Sequence, residues 1–313
     1  MGMFYGAVLS RGLSVFTQLC TAVGISVGTD YDVKHLSLWT LSMPHQLSRH
    51  RKRLGQVFLR DPLVVEQILH SAAIASHETV LEIGPGPGAL TGALAQYASE
   101  LYAIEIDAWY VHRLQQRFTT APHVHIIHAD ARQYDYGLLP HPLVMVANLP
   151  YSMGTAILTH VLSFRQRLSR LIVMLQHEVA TRLLAAPGTS AYGALSVFFQ
   201  YHTTLQHCFE VSRHAFHPIP AVDSTVVQLV PWTTSPYPGN DERFFFRVVQ
   251  TAFAHRRKVL RSNLLALSDL PLTQASLTAT LADLGLSNNV RAQELSLTQF
   301  VHLAAALRQA CPS

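Results

Sequence analysis

The chain has 313 residues, of which 49% are hydrophobic and 13% are charged, and its formal net charge is +4. That charge content is about half the average for a soluble domain, and the apolar content excludes an intrinsically disordered chain. Apolar runs such as Leu171–Leu175 are far shorter than the roughly 18 residues that a bilayer-spanning helix needs, so no membrane span is expected. Cys20, Cys208 and Cys311 are too far apart for a disulfide framework or a zinc cluster, which predicts a reducing compartment. The 18 histidines are scattered, and we expect no metal.

The first 42 residues contain two basic and two acidic residues, so they add nothing to the net charge. They show neither the pattern of a secretory signal nor the arginine content of a mitochondrial transit peptide. We expect residues 1–42 to be a disordered extension, or the natural start to be Met43.

Basic residues cluster twice along the chain. Five of the residues from Arg49 to Arg60 are basic and none is acidic, and four of the six from Arg256 to Arg261 are basic. Such clusters favour a polyanionic partner, because Lys and Arg displace counterions condensed on phosphates. Two solvated helix faces are the alternative interpretation.

From about residue 61 onward, short apolar runs alternate with amphipathic stretches. This alternation is typical of a doubly wound parallel sheet in an α/β domain, which we assign to residues 43–232. The predicted strands are 79–83, 101–106, 124–127, 143–147 and 171–175, and the predicted helices begin near 88, 108, 154 and 177.

The end of this domain and the start of a second one are marked by turn formers. Strands are predicted near 194–202 and 224–230, and residues 232–241 read as a linker. Beyond it, apolar residues recur at helical spacings. A small all-helical domain is therefore expected over 241–313.

A glycine-rich loop directly follows the first predicted strand. It contains Gly84, Gly86 and Gly88 and is preceded by Glu82. Glycines let the backbone turn sharply and approach a ligand closely. A dinucleotide-binding loop prefers Gly-x-Gly-x-x-Gly, whereas here the third glycine comes one residue early. A carboxylate this close would repel a pyrophosphate but suits a cationic amino-acid moiety, so the loop favours S-adenosylmethionine over NAD.

Carboxylates lie at the ends of the next two strands. Glu105 and Asp107 follow the glycine loop at a distance that suits an acceptor for ribose hydroxyls, and we assign this role to Glu105. Asp130 and the backbone amide of Ala131 would face an adenine edge. Each acid taken singly could instead be a helix N-cap.

Asn148, Leu149, Pro150 and Tyr151 end the strand at 143–147. This segment suits a methyl transfer in which the amine of an aromatic base is the nucleophile. Such an amine is a poor nucleophile because its lone pair is delocalised into the ring. Two acceptors aimed at its hydrogens, the side-chain oxygen of Asn148 and the carbonyl of Leu149, would make it pyramidal. Pro150 would fix the bend and Tyr151 would stack on the base. An ordinary strand-to-helix turn is the alternative.

These motifs carry a family resemblance that covers about residues 51–305. The chain resembles the KsgA-type ribosomal RNA adenine N6,N6-dimethyltransferases, which have a Rossmann-like S-adenosylmethionine-dependent sheet. The matching segments are Lys52–Leu59, Glu82–Gly88, Asp130–Arg132, Asn148–Tyr151, Gln176–Arg182, Tyr192–Val197, Ala215–Ser224 and Phe253–Lys258.

The resemblance implies further site residues. Gln56, Phe58 and Leu59 would close over the methionine end of S-adenosylmethionine. Phe216 would face Tyr151, so that a flipped adenine lies between two rings, and stacking of this kind is worth about 1–3 kcal/mol per base. Together with the basic clusters, the resemblance assigns RNA contacts to Arg51, Lys52, Arg53, Arg256, Arg257, Lys258 and Arg261.

The implied substrate is a pair of adjacent adenines in a hairpin loop near the 3′ end of small-subunit rRNA, with four methyl transfers in total. The implied partner is the assembling small ribosomal subunit, and a cytoplasmic monomer without metal is expected. The chain departs from the family at Val57, where Asn is common, at His177, and at Val211-Ser-Arg213.

Three other functions remain open from the sequence. A large-subunit rRNA methylase of the macrolide-resistance type shares the Asn-x-Pro-aromatic motif. A non-catalytic assembly factor or mitochondrial transcription factor could use the same fold, although Asn148 and Tyr151 are intact. An NAD-dependent dehydrogenase fits the glycine spacing poorly.

Overall fold

The structure is a computed structural model that describes residues 57–268 and 270–309. Several predictions concern residues that lie outside these ranges. They are the extension at 1–42, the cofactor residue Gln56 and the basic residues Arg51, Lys52 and Arg53.

Within the described part of the chain, seven strands form one mixed sheet. Its order is β4-β3-β2-β5-β6-β9-β7. Parallel ladders join β2 to β3 and β5, β3 to β4, and β5 to β6, whereas β9 is antiparallel to β6. The predicted α/β class with a parallel-dominated sheet is therefore confirmed. The strands are β1 Phe58–Leu59, β2 Thr79–Ile83, β3 Glu100–Glu105, β4 Val124–His128, β5 Leu143–Asn148, β6 Leu168–Gln176, β7 Thr203–Val211, β8 Phe216–His217 and β9 Ser224–Pro231.

Helices connect the parallel strands and make up most of the C-terminal third. They are α1 Pro62–Ala72, α2 Ala89–Leu94, α3 Ala108–Arg117, α4 Gly154–Leu162, α5 His177–Leu184, α6 Ala194–His202, α7 Glu242–Phe253, α8 Leu260–Leu264, α9 Gln274–Asp283 and α10 Leu297–Gln309.

Local chemistry explains where these elements begin and why the sheet is central. The side chain of Asp61 caps α1 by accepting the Leu63 N–H, and Asp107 caps α3 by accepting the Trp109 N–H. Along β5, residues 143–147 are all buried. A strand that is buried on both faces is typical of a parallel sheet covered by helices on both sides. The C-terminal ends of β2, β3, β4 and β5 therefore meet at one edge.

A short antiparallel ribbon adds to this edge. In it β1 pairs with β8, with Phe58 opposite His217 and Leu59 opposite Phe216. The amide of Arg60 continues the contact by donating to the Ala215 carbonyl over 2.8 Å. Local sequence patterns do not reveal this ribbon, because its strands have two residues each and lie far apart in the chain.

The described residues fall into two compact units. The sheet unit contains residues 57–177 and 207–229, and the helical unit contains 178–206 and 230–309. The linker at 232–241 predicted a helical domain from 241, whereas the helical unit also contains α5 and α6. Aromatic packing accounts for this difference within the helical unit, because α6 stacks on α7 through Tyr201 and Phe245, with 4.7 Å between ring centroids.

The strand predicted at 194–202 is wrong, because these residues form α6. Seven of its nine residues are buried, including Val197, Phe198 and Phe199. A helix buried nearly all round has no amphipathic period, and its short apolar run cannot be distinguished from a strand by pattern. The strand β7 begins directly after it, at Thr203.

Candidate active site

A cavity lies in the sheet unit at the C-terminal ends of the parallel strands, which is where open α/β sheets bind ligands. Glu82 belongs to the end of β2, Glu105 to the end of β3 and Asn148 to the end of β5. Among the described residues, eleven of those predicted from the sequence line this cavity: Phe58, Leu59, Glu82, Gly84, Gly86, Glu105, Asp130, Ala131, Asn148, Leu149 and Tyr151.

The glycine loop has left-handed backbone conformations that explain its composition. Gly84, Gly86 and Gly88 have φ angles of 69°, 52° and 84°, in the region that favours glycine. At Gly86 a Cβ atom would lie only 2.9 Å from Cε1 of Phe58. The missing side chain therefore lets the Phe58 ring close over the loop. Gly88 is the N-cap residue of α2 and lies beside the cavity rather than in its lining.

Glu82 is an almost completely buried carboxyl group, with 1% exposure. Its Oε2 atom has no hydrogen-bond partner among the described residues. Burial raises the pKa of Glu82 to about 8, and the nearby Glu105 carboxylate adds to the rise. A buried acid with an unused oxygen at the cavity wall can accept a hydrogen bond from a cationic group that enters the cavity.

Glu105 binds the backbone of its own loop and of the glycine loop. Its Oε2 accepts the Gly86 N–H, and its Oε1 accepts the N–H groups of Ile106 and Asp107, each over 2.9 Å. Burial raises the pKa of Glu105, and these hydrogen bonds oppose the rise. The predicted ribose contact remains a prediction, and the structure adds a second role in which this side chain connects two loops. Asp107 caps α3 instead.

Asp130 is paired with Arg132 through side-chain contacts of 2.6 to 3.2 Å. The Arg132 N–H also donates to Asp130 Oδ1. Burial opposes ionisation of Asp130, but these hydrogen bonds and the guanidinium charge hold its pKa below the usual value. An ionised Asp130 next to the buried Ala131 can accept a hydrogen bond from an amine at this end of the cavity.

The segment from Asn148 to Tyr151 forms a bend between β5 and α4. The amide of Leu149 donates to the Met174 carbonyl over 3.3 Å, and the Pro150 carbonyl accepts from Gly154 over 2.8 Å. No described residue makes a hydrogen bond with the half-buried side chain of Asn148. Its amide is therefore free to bind a ligand in the cavity.

Tyr151 is oriented by Ser224, whose Oγ lies 2.7 Å from the Tyr151 Oη. Ser224 ends the matching segment Ala215–Ser224, and the sequence does not predict this contact. Burial raises the pKa of Tyr151, so the phenol stays protonated at neutral pH. Only the return of β9 to the edge of the cavity, which is a long-range feature, brings this hydroxyl to Tyr151.

Phe216 is not in the cavity lining, and its ring is buried in the core cluster that also contains Leu59 and Val211. Its predicted role in holding the base remains a prediction.

The second basic cluster is heterogeneous. Within the helical unit, the Arg256 guanidinium donates to the carbonyls of Ser190 and Tyr192 over 2.6 and 2.9 Å. Arg257 and Lys258 are exposed, and Arg261 is half-buried. Arg256 therefore stabilises the backbone at Ser190 and Tyr192, in addition to any RNA contact that it makes.

The described residues contain no group of acids, histidines and cysteines that could hold a metal ion. None of the helices within these ranges has the length and hydropathy of a membrane span.

Comparison with known proteins places these features in context. A family model described as "Ribosomal RNA adenine dimethylase" matches residues 47–309. The protein named Ribosomal RNA small subunit methyltransferase A from Pseudomonas syringae pv. syringae is 38% identical over 83% of this chain and 96% of its own length. Its namesake from Geobacter metallireducens is 40% identical over the same shares.

Solved structures share the fold. A dimethyladenosine transferase from Plasmodium falciparum has a TM-score of 0.71 at 24% identity, over 81% of this chain and 98% of its own. The 23S rRNA methyltransferase ErmE has a TM-score of 0.63 at 25% identity, over 80% of this chain and 100% of its own.

Proposed function

Because the chain belongs to the ribosomal RNA adenine dimethylase family, we propose that it transfers methyl groups from S-adenosylmethionine to the N6 amines of adenines in small-subunit rRNA. The observation that carries this proposal is the side chain of Asn148. It has no hydrogen-bond partner among the described residues, and it lines the same cavity as the glycine loop and Glu82.

The residues of the cavity fit S-adenosylmethionine. The unused oxygen of Glu82 suits the ammonium group of the methionine moiety, and the missing side chain of Gly86 lets the Phe58 ring pack against the glycine loop as part of the cavity wall. Glu105 would accept from the ribose, and Asp130 with the Ala131 amide would bind the adenine edge. When bound, S-adenosylmethionine supplies an electrophilic methyl group on a positively charged sulfur.

The target amine is activated by position and geometry. The Asn148 side-chain oxygen and the Leu149 carbonyl accept its two hydrogens, which draws the nitrogen out of the plane of the ring and concentrates its lone pair. Tyr151 stacks on the base, and the Ser224 hydrogen bond holds its ring in place. These interactions strengthen as the amine becomes tetrahedral, and such differential binding accelerates a reaction.

The substrate within this proposal is the pair of adjacent adenines in the hairpin loop near the 3′ end of small-subunit rRNA. The relatives at 38% and 40% identity are named as small-subunit methyltransferases, which supports this choice over the large-subunit alternative. We further propose that the chain acts in the cytoplasm, as a monomer, on the assembling small subunit.

The decisive experiment incubates the purified chain with labelled S-adenosylmethionine and undermethylated small or large subunits. Mass spectrometry then maps each modified base. Dimethylated adenines in the small-subunit hairpin are expected, whereas label confined to the large subunit or absent from both would contradict the proposal. Asn148→Ala serves as the control for contaminating activity.

A further inference from the structure

A second groove adjoins the cavity, and Phe58 borders both. We call it the outer groove. Phe58 and Gly86 line both the cavity and the outer groove, so the two spaces share a wall. The rest of the outer groove is formed by α3 and by residues beside the β1–β8 ribbon. Its arginines and Trp109 have no role among those assigned so far.

Positive charge dominates the lining of the outer groove. It contains Arg60, Arg113 and Arg117, together with His217, and all four are exposed. None of the described residues in its lining is acidic. Lining arginines that lack acidic partners create the positive potential that attracts a polyanion.

Arg117 also makes a hydrogen bond within the sheet unit. Nη1 of Arg117 donates to the Gly88 carbonyl over 3.2 Å, which connects the outer groove to the base of the glycine loop. Arg60 and Arg113 make no such contact with the loop. These two arginines can therefore be changed without disturbing the cofactor site.

Aromatic rings extend from the cavity wall into the outer groove. Phe58 meets Tyr110 edge to face at 5.5 Å, and Tyr110 meets Trp109 edge to face at 4.9 Å. The Arg113 guanidinium lies over the Trp109 ring, 4.7 Å from its centroid. The half-buried indole and the guanidinium over one of its faces together form an aromatic and cationic surface of the kind that binds the bases and phosphates of a single strand.

We propose that the outer groove binds the RNA strand adjacent to the target adenine. Arg60, Arg113 and Arg117 contact consecutive phosphates, and Trp109 stacks on a neighbouring base. This inference rests on the proposed function, because it requires an RNA whose target base enters the adjoining cavity. An acidic polypeptide would match the charge but would leave the aromatic surface unused.

The test uses the full chain and an RNA hairpin with two adjacent adenines in its loop. S-adenosylhomocysteine is present so that no methyl transfer occurs. Fluorescence anisotropy measures the dissociation constant over a range of salt concentrations. For single strands, each neutralised phosphate contributes about 0.7 to the slope of log affinity against log salt. The double variant Arg60→Gln/Arg113→Gln should therefore lower the slope by about 1.4 and weaken binding about tenfold at low salt.

Matched variants separate charge from other effects. Arg113→Lys keeps the charge and should keep the wild-type slope. Arg243→Gln removes one exposed charge outside the lining of the outer groove and should change little. Trp109→Leu should weaken binding severalfold without altering the slope. Calorimetry with S-adenosylhomocysteine alone should give wild-type affinity for the double variant, and thermal melting confirms folding.

Three results would overturn the proposal. They are a wild-type slope in the double variant, a parallel loss of cofactor affinity, and an equal loss of binding to polyglutamate, which would make the outer groove a site for acidic polypeptides. A failure of the proposed function looks different. In that case the salt dependence of hairpin binding still depends on Arg60 and Arg113. In a separate assay with S-adenosylmethionine, however, the wild-type chain transfers no methyl group to the hairpin.

Discussion

The Oη of Tyr151 is hydrogen-bonded to the Oγ of Ser224 over 2.7 Å, across 73 residues of sequence. Ser224 is completely buried at the start of β9, so its hydroxyl is a fixed partner. This bond sets the plane of the ring that we propose stacks on adenine. Ser224 is therefore a positioning residue for the reaction.

Ser224→Ala should reduce the rate of methyl transfer about fivefold while leaving cofactor affinity unchanged. Removing one partner leaves the half-buried phenol unsatisfied, and a hydrogen bond of this kind contributes about 0.5–1.5 kcal/mol. A single-turnover time course should also show monomethyl-adenine accumulating, because the base must be held again for the second transfer. In a double-mutant cycle with Tyr151→Phe, additive effects would contradict this coupling.

Asn148→Ala should lower the methyl-transfer step by at least a hundredfold, with RNA and cofactor affinities nearly intact. The lost interaction is stronger in the transition state than in the ground state, so it affects the rate rather than binding. Rapid-quench measurements with saturating RNA resolve the step. Asn289→Ala, at an exposed loop position, is the matched control. A transfer rate in Asn148→Ala that equals this control would show that the acceptor lies elsewhere.

Glu105→Ala should weaken S-adenosylhomocysteine binding roughly ten- to a hundredfold, which corresponds to a charge-assisted hydrogen bond of about 1.5–3 kcal/mol. Two causes of this loss of affinity can be distinguished. If Glu105 accepts from the ribose, an analogue without the 2′- and 3′-hydroxyls should bind the variant and the wild type with similar affinity. If Glu105 acts only by holding the Gly86 and Asp107 amides, the analogue should show the full loss. Calorimetry with both ligands decides between these roles.

Glu82 makes stability depend on pH in a defined direction. Its pKa of about 8 lies above the ordinary value of 4.5, so between these values the folded chain holds a proton that the unfolded chain has lost. The free energy of unfolding should therefore fall as pH rises from about 4.5 to 8, by about 1.4 kcal/mol per pH unit. Glu82→Gln should remove this decline, as measured by urea titrations at several pH values.

Glu78 supplies a control of opposite sign. Its hydrogen bonds with Arg170 lower its pKa to about 2, so its stabilisation is present above about pH 4.5 and is lost as pH falls toward 2. Glu78→Gln should lower the free energy of unfolding at neutral pH and leave it nearly unchanged at pH 2. If Glu82→Gln and the wild type show parallel pH profiles, then Glu82 ionises in the folded chain as it does in water.

The sequence predicts those parts of the fold whose signal is local. The strand at 79–83 agrees with β2 at both ends, because its β-rich run is followed directly by the glycine loop. The position of Asn148 at the end of β5 could also be predicted, because the Asn148–Tyr151 bend directly follows the apolar run of that strand. By contrast, the pairing of Phe58 with His217 depends on contacts distant in sequence. The same limit explains why Glu105 was predicted as a ligand only, and not as an acceptor of the Gly86 amide.

The cluster from Arg256 to Lys258 should separate into a structural and a binding part. Arg256→Ala should lower thermal stability, because the carbonyls of Ser190 and Tyr192 in the helical unit lose their shared donor, and the bond to Tyr192 is part-buried. Arg257→Gln/Lys258→Gln should instead leave stability unchanged and reduce the salt dependence of binding to small subunits. Filter binding at several salt concentrations, paired with calorimetric melting, tests both. Equal loss of stability in the two variants would make the whole cluster structural.

The β1–β8 ribbon places a condition on how the protein is made. Phe58 and Leu59 emerge from the ribosome about 160 residues before His217 and Phe216, their partners in the ladder. At about 5–20 residues per second, that interval lasts roughly 8 to 30 seconds. During this time the nascent chain has the glycine loop but not the ribbon that secures the Phe58 ring beside it. The cofactor therefore cannot act as a folding ligand for the early nascent chain, and truncations that end before β8 should bind no S-adenosylhomocysteine.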